Sequence, residues 1–220
     1  MTATTDTDSQ AFKLGKPVLV CRWRLSNRQV VAERRQLRAL AAREINGERM
    51  GTGLVAWARQ HIEWTLEKGA LQQPDGVLML VVDEAGQAAM SVGPYHPLRR
   101  TTLSQLAERS RQAHKEAEQT GVSPETLWLA HDDVLYCDEE PGTTPSGITS
   151  LIEDLACTLG IRVERRPGLW EATARKLVRF EEAFLVSDEH GVVPASDYDG
   201  PCAQRFAASY QKLMESQRKR

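Results

Sequence analysis

The chain has 220 residues, of which 41% are hydrophobic and 26% charged, with a formal net charge of −2. That length accommodates one large domain or two small ones around a real core. The near-balanced charge gives no global field for nucleic acid or an anionic membrane, and the longest apolar run, Val77 to Val82, is too short to span a bilayer.

Residues 1–11 (MTATTDTDSQA) are small, polar and acidic and read as a disordered leader, without the basic and apolar regions of a signal peptide. Lys16 to Leu25 (KPVLVCRWRL) mixes β-branched residues with alternating charge, as a half-exposed strand does. A turn at Ser26-Asn27 leads to a helix over Val31 to Ile45, which Asn46-Gly47 ends. A loop, Met50 to Gly53, precedes a second helix over Leu54 to Lys68, with Leu54, Trp57, Ala58, His61, Ile62 and Leu66 near one face. Gly76 to Val82 and Gln87 to Val92 form a hairpin across Asp83 to Gly86, and Gly93 to Pro97 breaks the chain as an inter-lobe linker. Residues 12–95 are therefore expected to form a small N-terminal α+β lobe, and residues 96–220 a second α+β lobe. In the latter, a polar helix over Thr102 to Thr120 stops at Gly121. Strands at Thr126 to Ala130 and Val134 to Cys137 flank the turn His131-Asp132-Asp133, where paired aspartates are ordinary turn chemistry. After the acidic loop Asp138 to Pro145 come a helix (Ser146 to Leu159), a strand (Ile161 to Arg165), a helix (Leu169 to Val178), two strands (Ala183 to Val186 and Val192 to Pro194) and a closing helix (Pro201 to Arg218).

Cysteines 21, 137, 157 and 202 form no CxxC pair, which is the pattern of reduced thiols in a cytosolic protein. Histidines 61, 96, 114, 131 and 190 show neither HxxxH nor HExxH spacing, so no metal site is expected.

The segment that carries chemistry is Pro145-Ser146-Gly147-Ile148-Thr149. It leads from an irregular loop into an amphipathic helix, where amide groups lack intrahelical partners and the dipole is positive. A small residue permits close approach and Thr149 adds a hydroxyl, so the start can cradle a phosphate; Ser146 or Thr149 can equally serve only as a cap.

The order of segments from Leu127 to Tyr210 resembles the cofactor domain of the fold type IV pyridoxal-phosphate (PLP) enzymes, the class IV aminotransferases and aminodeoxychorismate lyases. The matching pieces are DDVLYC, PSGIT, LGIRVERR, FEEAFLV, GVVPA, YDG and GPCAQRF, seven in the right order over some 85 residues. The resemblance implies a shortened, two-lobed α+β fold of the D-amino-acid aminotransferase kind, a crevice between the lobes, and a homodimer. It also implies that Gly147, Ile148 and Thr149 hold a cofactor phosphate, with Ser187, one residue before the family's hydroxyl position, able to serve in the second phosphate loop, and with Arg35 or Arg38 near the family's HxxRL position as anion contacts; Arg99, in the zone of the family's lysine, is a further anion contact particular to this chain.

Several positions depart from the family pattern. The arginine after GIT is Ser150, and the hydroxyl position of the second loop holds Asp188, whose charge opposes a phosphate. The zone of the Schiff-base lysine reads Tyr95-His96-Pro97-Leu98-Arg99-Arg100-Thr101-Thr102, and arginine forms no imine. The glutamate that partners the pyridine nitrogen in the family is not identified. Three readings follow: a member degenerate at the PLP site that binds a small anionic molecule in the crevice, an active PLP transaminase or lyase with an unrecognised lysine, and a non-enzymatic scaffold.

Overall fold

The computed structural model describes residues 14–45, 47–49 and 52–218. The leader, Asn46 and the first part of the expected loop, Met50-Gly51, lie outside the described residues.

The first lobe is built on an antiparallel sheet of order β2-β1-β5-β6. Its strands are β1 (Pro17–Ser26), β2 (Gln29–Val30), β5 (Val77–Asp83) and β6 (Ala88–Gly93). Between them come α1 (Glu33–Ala41), the short hairpin β3 (Glu44–Ile45) and β4 (Glu48–Arg49), and α2 (Thr52–Gly69). Period-2 alternation sends Leu19, Cys21, Trp23 and Leu25 of β1 to one face, where they pack with Leu78, Leu80 and Val82 against Ala58 and Ile62 of α2. The other face of β1 carries Arg22 and Arg24 toward the second lobe, where the Arg24 N–H donates to the Asp188 carbonyl at 3.1 Å.

After α3 (Leu103–Thr120) comes a five-stranded sheet of order β11-β10-β7-β8-β9. Its strands are β7 (Thr126–His131), β8 (Val134–Cys137), β9 (Arg162–Arg165), β10 (Glu182–Ser187) and β11 (Gly191–Pro194), with α4 (Gly147–Thr158), α5 (Leu169–Ala174) and α6 (Pro201–Arg218) between and after them. Only β8 and β9 run parallel, joined by the α4 crossover. β7 and β10 are buried on both faces, so they read as continuous apolar runs. Trp128, Ala130, Phe184 and Val186 face Ile148 and Ile152 of α4 and Phe206 and Tyr210 of α6. Leu127, Leu129, Ala183 and Leu185 face Leu106 of α3 and Leu169 of α5.

Three helix starts in this lobe are held by internal carboxylates. Glu182 accepts from the Ala203 N–H of α6 at 2.7 Å, Asp138 from the Leu169 N–H of α5 at 3.1 Å, and Asp188 from the Ile148 N–H of α4 at 2.9 Å.

Two expectations are corrected. The first helix ends at Ala41, and residues expected to continue it form the β3–β4 hairpin around Gly47, whose φ is 81°. The helix expected over 169–178 ends at Ala174. There the Leu177 N–H reaches the Ala172 carbonyl at 2.8 Å and Lys176 turns left-handed at φ 56°, a Schellman closure with lysine in the place usual for glycine. No helix among the described residues is long and apolar enough to cross a membrane.

Candidate functional site

The start of α4 faces α1 and the β10–β11 turn. Ser146 is extended at φ −64°, ψ 169°, and its Oγ accepts from the Thr149 N–H at 3.2 Å, the expected cap. The Ile148 N–H and the Ser146 hydroxyl both donate to Asp188 Oδ1, at 2.9 and 3.0 Å. The anion at this helix start is therefore the chain's own carboxylate. Burial pushes the Asp188 pKa above its ordinary value, against the Ile148 N–H, Gln36, Ser146 and the charge of Arg43, which favour the ionised form.

Gln36, on α1 between Arg35 and Leu37, fills the remaining space. A Cβ added to Gly147 would land on the Gln36 amide, so a larger residue there requires the Gln36 side chain to shift. Gln36 is 1% exposed, and it lies near enough to Asp188 to favour the carboxylate, yet neither amide atom makes a well-formed hydrogen bond.

The other expected site residues are placed as follows. Gly147, Ile148 and Thr149 are all buried at the α4 start. Ser187 donates to Glu125 at 3.1 Å and accepts from the Glu189 and His190 N–H groups, both at 3.1 Å, so its hydroxyl is spent organising the turn. Arg35 pairs with Asp154 at 2.7 Å and reaches the Ser150 carbonyl at 3.3 Å, on the outer side of α4. Arg38 is exposed, and Arg99 is exposed in the loop before α3. The structure therefore brings Gln36, and neither Arg35 nor Arg38, to the helix start. Sequence reading missed it because Gln36 stands unremarked inside the basic run RRQLR. Among the described lysines, 16, 68, 115, 176 and 212 are all exposed.

Along the crevice the arginines are mostly engaged. Arg22 pairs with Glu116 at 2.6 Å, Arg43 donates to Ser123 at 2.7 Å and to the Gly121 carbonyl, and Arg109 pairs with Glu125 while donating to His190 Nε2 at 2.7 Å. Glu125, Glu189 and His190 could surround a cation, but the guanidinium of Arg109 already takes the lone pairs of Glu125 and His190. The expected turn at His131-Asp132-Asp133 forms with Asp132 at φ 49°, and His131 meets Glu181 at 2.6 Å on the surface.

Burial pushes the His190 pKa from 6.5 down to about 4. The unfolded chain takes up a proton between those values that the folded chain refuses, so stability falls as pH drops through that window. Between pH 7 and pH 4 this one group should remove about 3 kcal/mol. Urea unfolding at a series of pH values should give His190→Asn a flatter acid limb than the native chain; equal slopes would refute the assignment.

The residues at the α4 start do not fit PLP. Two of the donors a phosphate would use are given to Asp188, Gln36 occupies the approach at Gly147, and no lysine lines the space beside Asp188. The open space bounded by Ser187, Asp188, Glu189 and Glu125 is about 20 Å³, where ligand pockets usually measure about 300–1,000 Å³.

No protein-family model matches the sequence, and no curated protein is detectably similar to it. The fold nonetheless has close architectural counterparts. A hypothetical aminotransferase from Mycobacterium tuberculosis, solved in a PLP-bound form, superposes with a TM-score of 0.60 at 12% identity over 91% of this chain and 90% of that one. The 4-amino-4-deoxychorismate lyase from Pseudomonas aeruginosa gives a TM-score of 0.53 at 15% identity, covering 89% and 90%. A fold IV transaminase from Curtobacterium pusillum gives 0.55 at 13% identity, covering 97% and 92%. At such identities the likeness speaks for architecture: the chain has the α+β fold of the type IV, class IV aminotransferase-like proteins.

Proposed function

We propose that the chain keeps the type IV scaffold without PLP chemistry and uses the crevice between its lobes to bind a small anionic molecule. The observation that carries this reading is the Asp188 carboxylate seated on the α4 start. Two unit charges of one sign about 4 Å apart repel by about 4 kcal/mol near a protein surface, so a cofactor phosphate and an ionised Asp188 are alternatives. No lysine is among the residues that line the space beside Asp188, so no imine-forming amine stands at that wall. Of the arginines along the crevice, Arg22 and Arg109 are paired with Glu116 and Glu125, whereas Arg24 donates to backbone carbonyls and has no carboxylate partner among the described residues, which leaves it to receive an anion.

The test is spectroscopic. Purified protein titrated with PLP is expected to show no imine absorption band beyond that of free cofactor. After borohydride reduction, peptide mass spectrometry should find no lysine fixed at a single site. A saturable band reducible onto one lysine would overturn the proposal and favour an active transaminase or lyase.

A further inference from the structure

We infer that the cavity between β1, β11 and α6 is a binding site for a small carboxylate with an apolar body. This deepens the proposed anion-binding role, on which it rests, by naming a place and a ligand class away from the α4 start.

The cavity measures about 410 Å³ and is lined by Arg24, Tyr95, His190, Gln204, Tyr210 and Gln211, with Val192, Ala207, Ala208 and Met214 supplying apolar wall. It contains no acidic side chain. Arg24 is 9% exposed and has no carboxylate within ion-pair distance among the described residues. Its Nη1 donates to the Asp75 and Gly76 carbonyls, and its guanidinium lies 3.5 Å over the Tyr95 ring. The nearby Asp75 carboxylate is already taken by Arg218 at 3.3 Å and by the Asn27 N–H at 3.1 Å. Buried charges are normally paired, so an unpaired guanidinium facing a cavity points to a counter-ion that comes from outside the chain.

A second, independent feature lies in the same wall. The Tyr210 hydroxyl is buried without a hydrogen-bond partner. Its ring is fixed against Gly191, where an added Cβ would collide with it. A buried hydroxyl left unmade costs free energy, and a carboxylate oxygen would satisfy it. Tyr95 completes the donor set. His190 Nε2 accepts from Arg109 at 2.7 Å, which leaves Nδ1–H to donate to the Tyr95 oxygen at 3.4 Å and the Tyr95 proton to point elsewhere. A carboxylate can thus accept from the guanidinium and the two phenols while its tail packs on Val192, Ala207 and Met214.

The probes are benzoate and hexanoate, each set against its neutral amide, with binding to the full chain read by heteronuclear NMR and thermal shift. At least one acid is expected to bind, at least tenfold more tightly than its amide. Tyr210→Phe removes one oxygen and keeps the ring, and should weaken that acid roughly tenfold; Arg24→Gln should abolish it. Because Arg24 also holds two carbonyls and Arg24→Gln could fail to fold, Tyr210→Phe carries the decision. No binding of either acid at about 100 mM, a hundredfold above a millimolar Kd, equal binding of acid and amide, or binding untouched by Tyr210→Phe would each overturn the inference. The PLP spectrum of the same samples separates the two levels. A reducible imine sinks the proposed function, whereas silent PLP with no carboxylate binding sinks this site alone.

Discussion

Inorganic phosphate is expected to stabilise Asp188→Ala and to leave the native chain unmoved. The substitution removes the carboxylate that accepts from Ile148 and Ser146. It opens that volume onto the existing space of about 20 Å³ beside it. A helix start with free N–H groups and a positive dipole end receives an anion without further help, and the unpartnered amide of Gln36 adds a donor. At ten times its dissociation constant, a ligand specific for the folded state contributes about 1.4 kcal/mol. For a chain of this size that raises Tm by about 3–6 °C. Differential scanning calorimetry of both proteins across phosphate concentrations, with chloride at matched ionic strength as control, measures it. A native chain that gains as much as the variant would mean that the carboxylate does not occupy the anion position; no gain in either would mean that the helix start is not an anion site at all.

Gly121→Ala should be among the most destabilising single changes. Gly121 ends α3 in the left-handed region at φ 65°, with its N–H on the Ala117 carbonyl at 2.9 Å. A Cβ there would strike the Val18 carbonyl oxygen and crowd the Leu19 Cα, both backbone atoms of β1 that cannot swing aside. The left-handed strain and the overpacking together should cost about 2–5 kcal/mol. The same residue's carbonyl accepts from Arg43, so the damage extends to the crevice wall. Chemical denaturation measures it. A loss under about 1 kcal/mol, less than left-handed strain alone costs, would show that the cap and β1 adjust freely against each other.

Much of this architecture was readable before any coordinates. Continuous apolar runs such as LWLA and AFLV mark central strands covered on both faces, and Gly121 and Gly160 end α3 and α4 in left-handed turns as glycine should. What escaped were features whose cause lies in another part of the chain. Lys176 closes α5 in a conformation that nothing about lysine announces. Two-residue strands such as β2 exist only because Leu25 and Ser26 lie across from them. At the site, PSGIT announced an anion-holding helix start and Asp188 announced a conflict with phosphate. That the conflict is resolved by the acid becoming the anion depends on a contact across 40 residues, between Asp188 and Ile148. Gln36 is more distant still, since its role comes entirely from the packing of α1 on α4. Arg24 and Tyr210 gave no signal, because an arginine in a half-charged strand and a tyrosine on a helix are ordinary until their missing partners are seen.

Asp188 joins three parts of the molecule: its carbonyl holds β1 through Arg24, its carboxylate holds the start of α4, and it faces Gln36 of α1. A solute that performed this task would do so only while its concentration stayed above its dissociation constant. A group attached to the backbone is present at every copy, at an effective concentration that no metabolic fluctuation can dilute. This link between β1, α4 and α1 is therefore present in every copy of the chain, whatever ligand the crevice holds in addition.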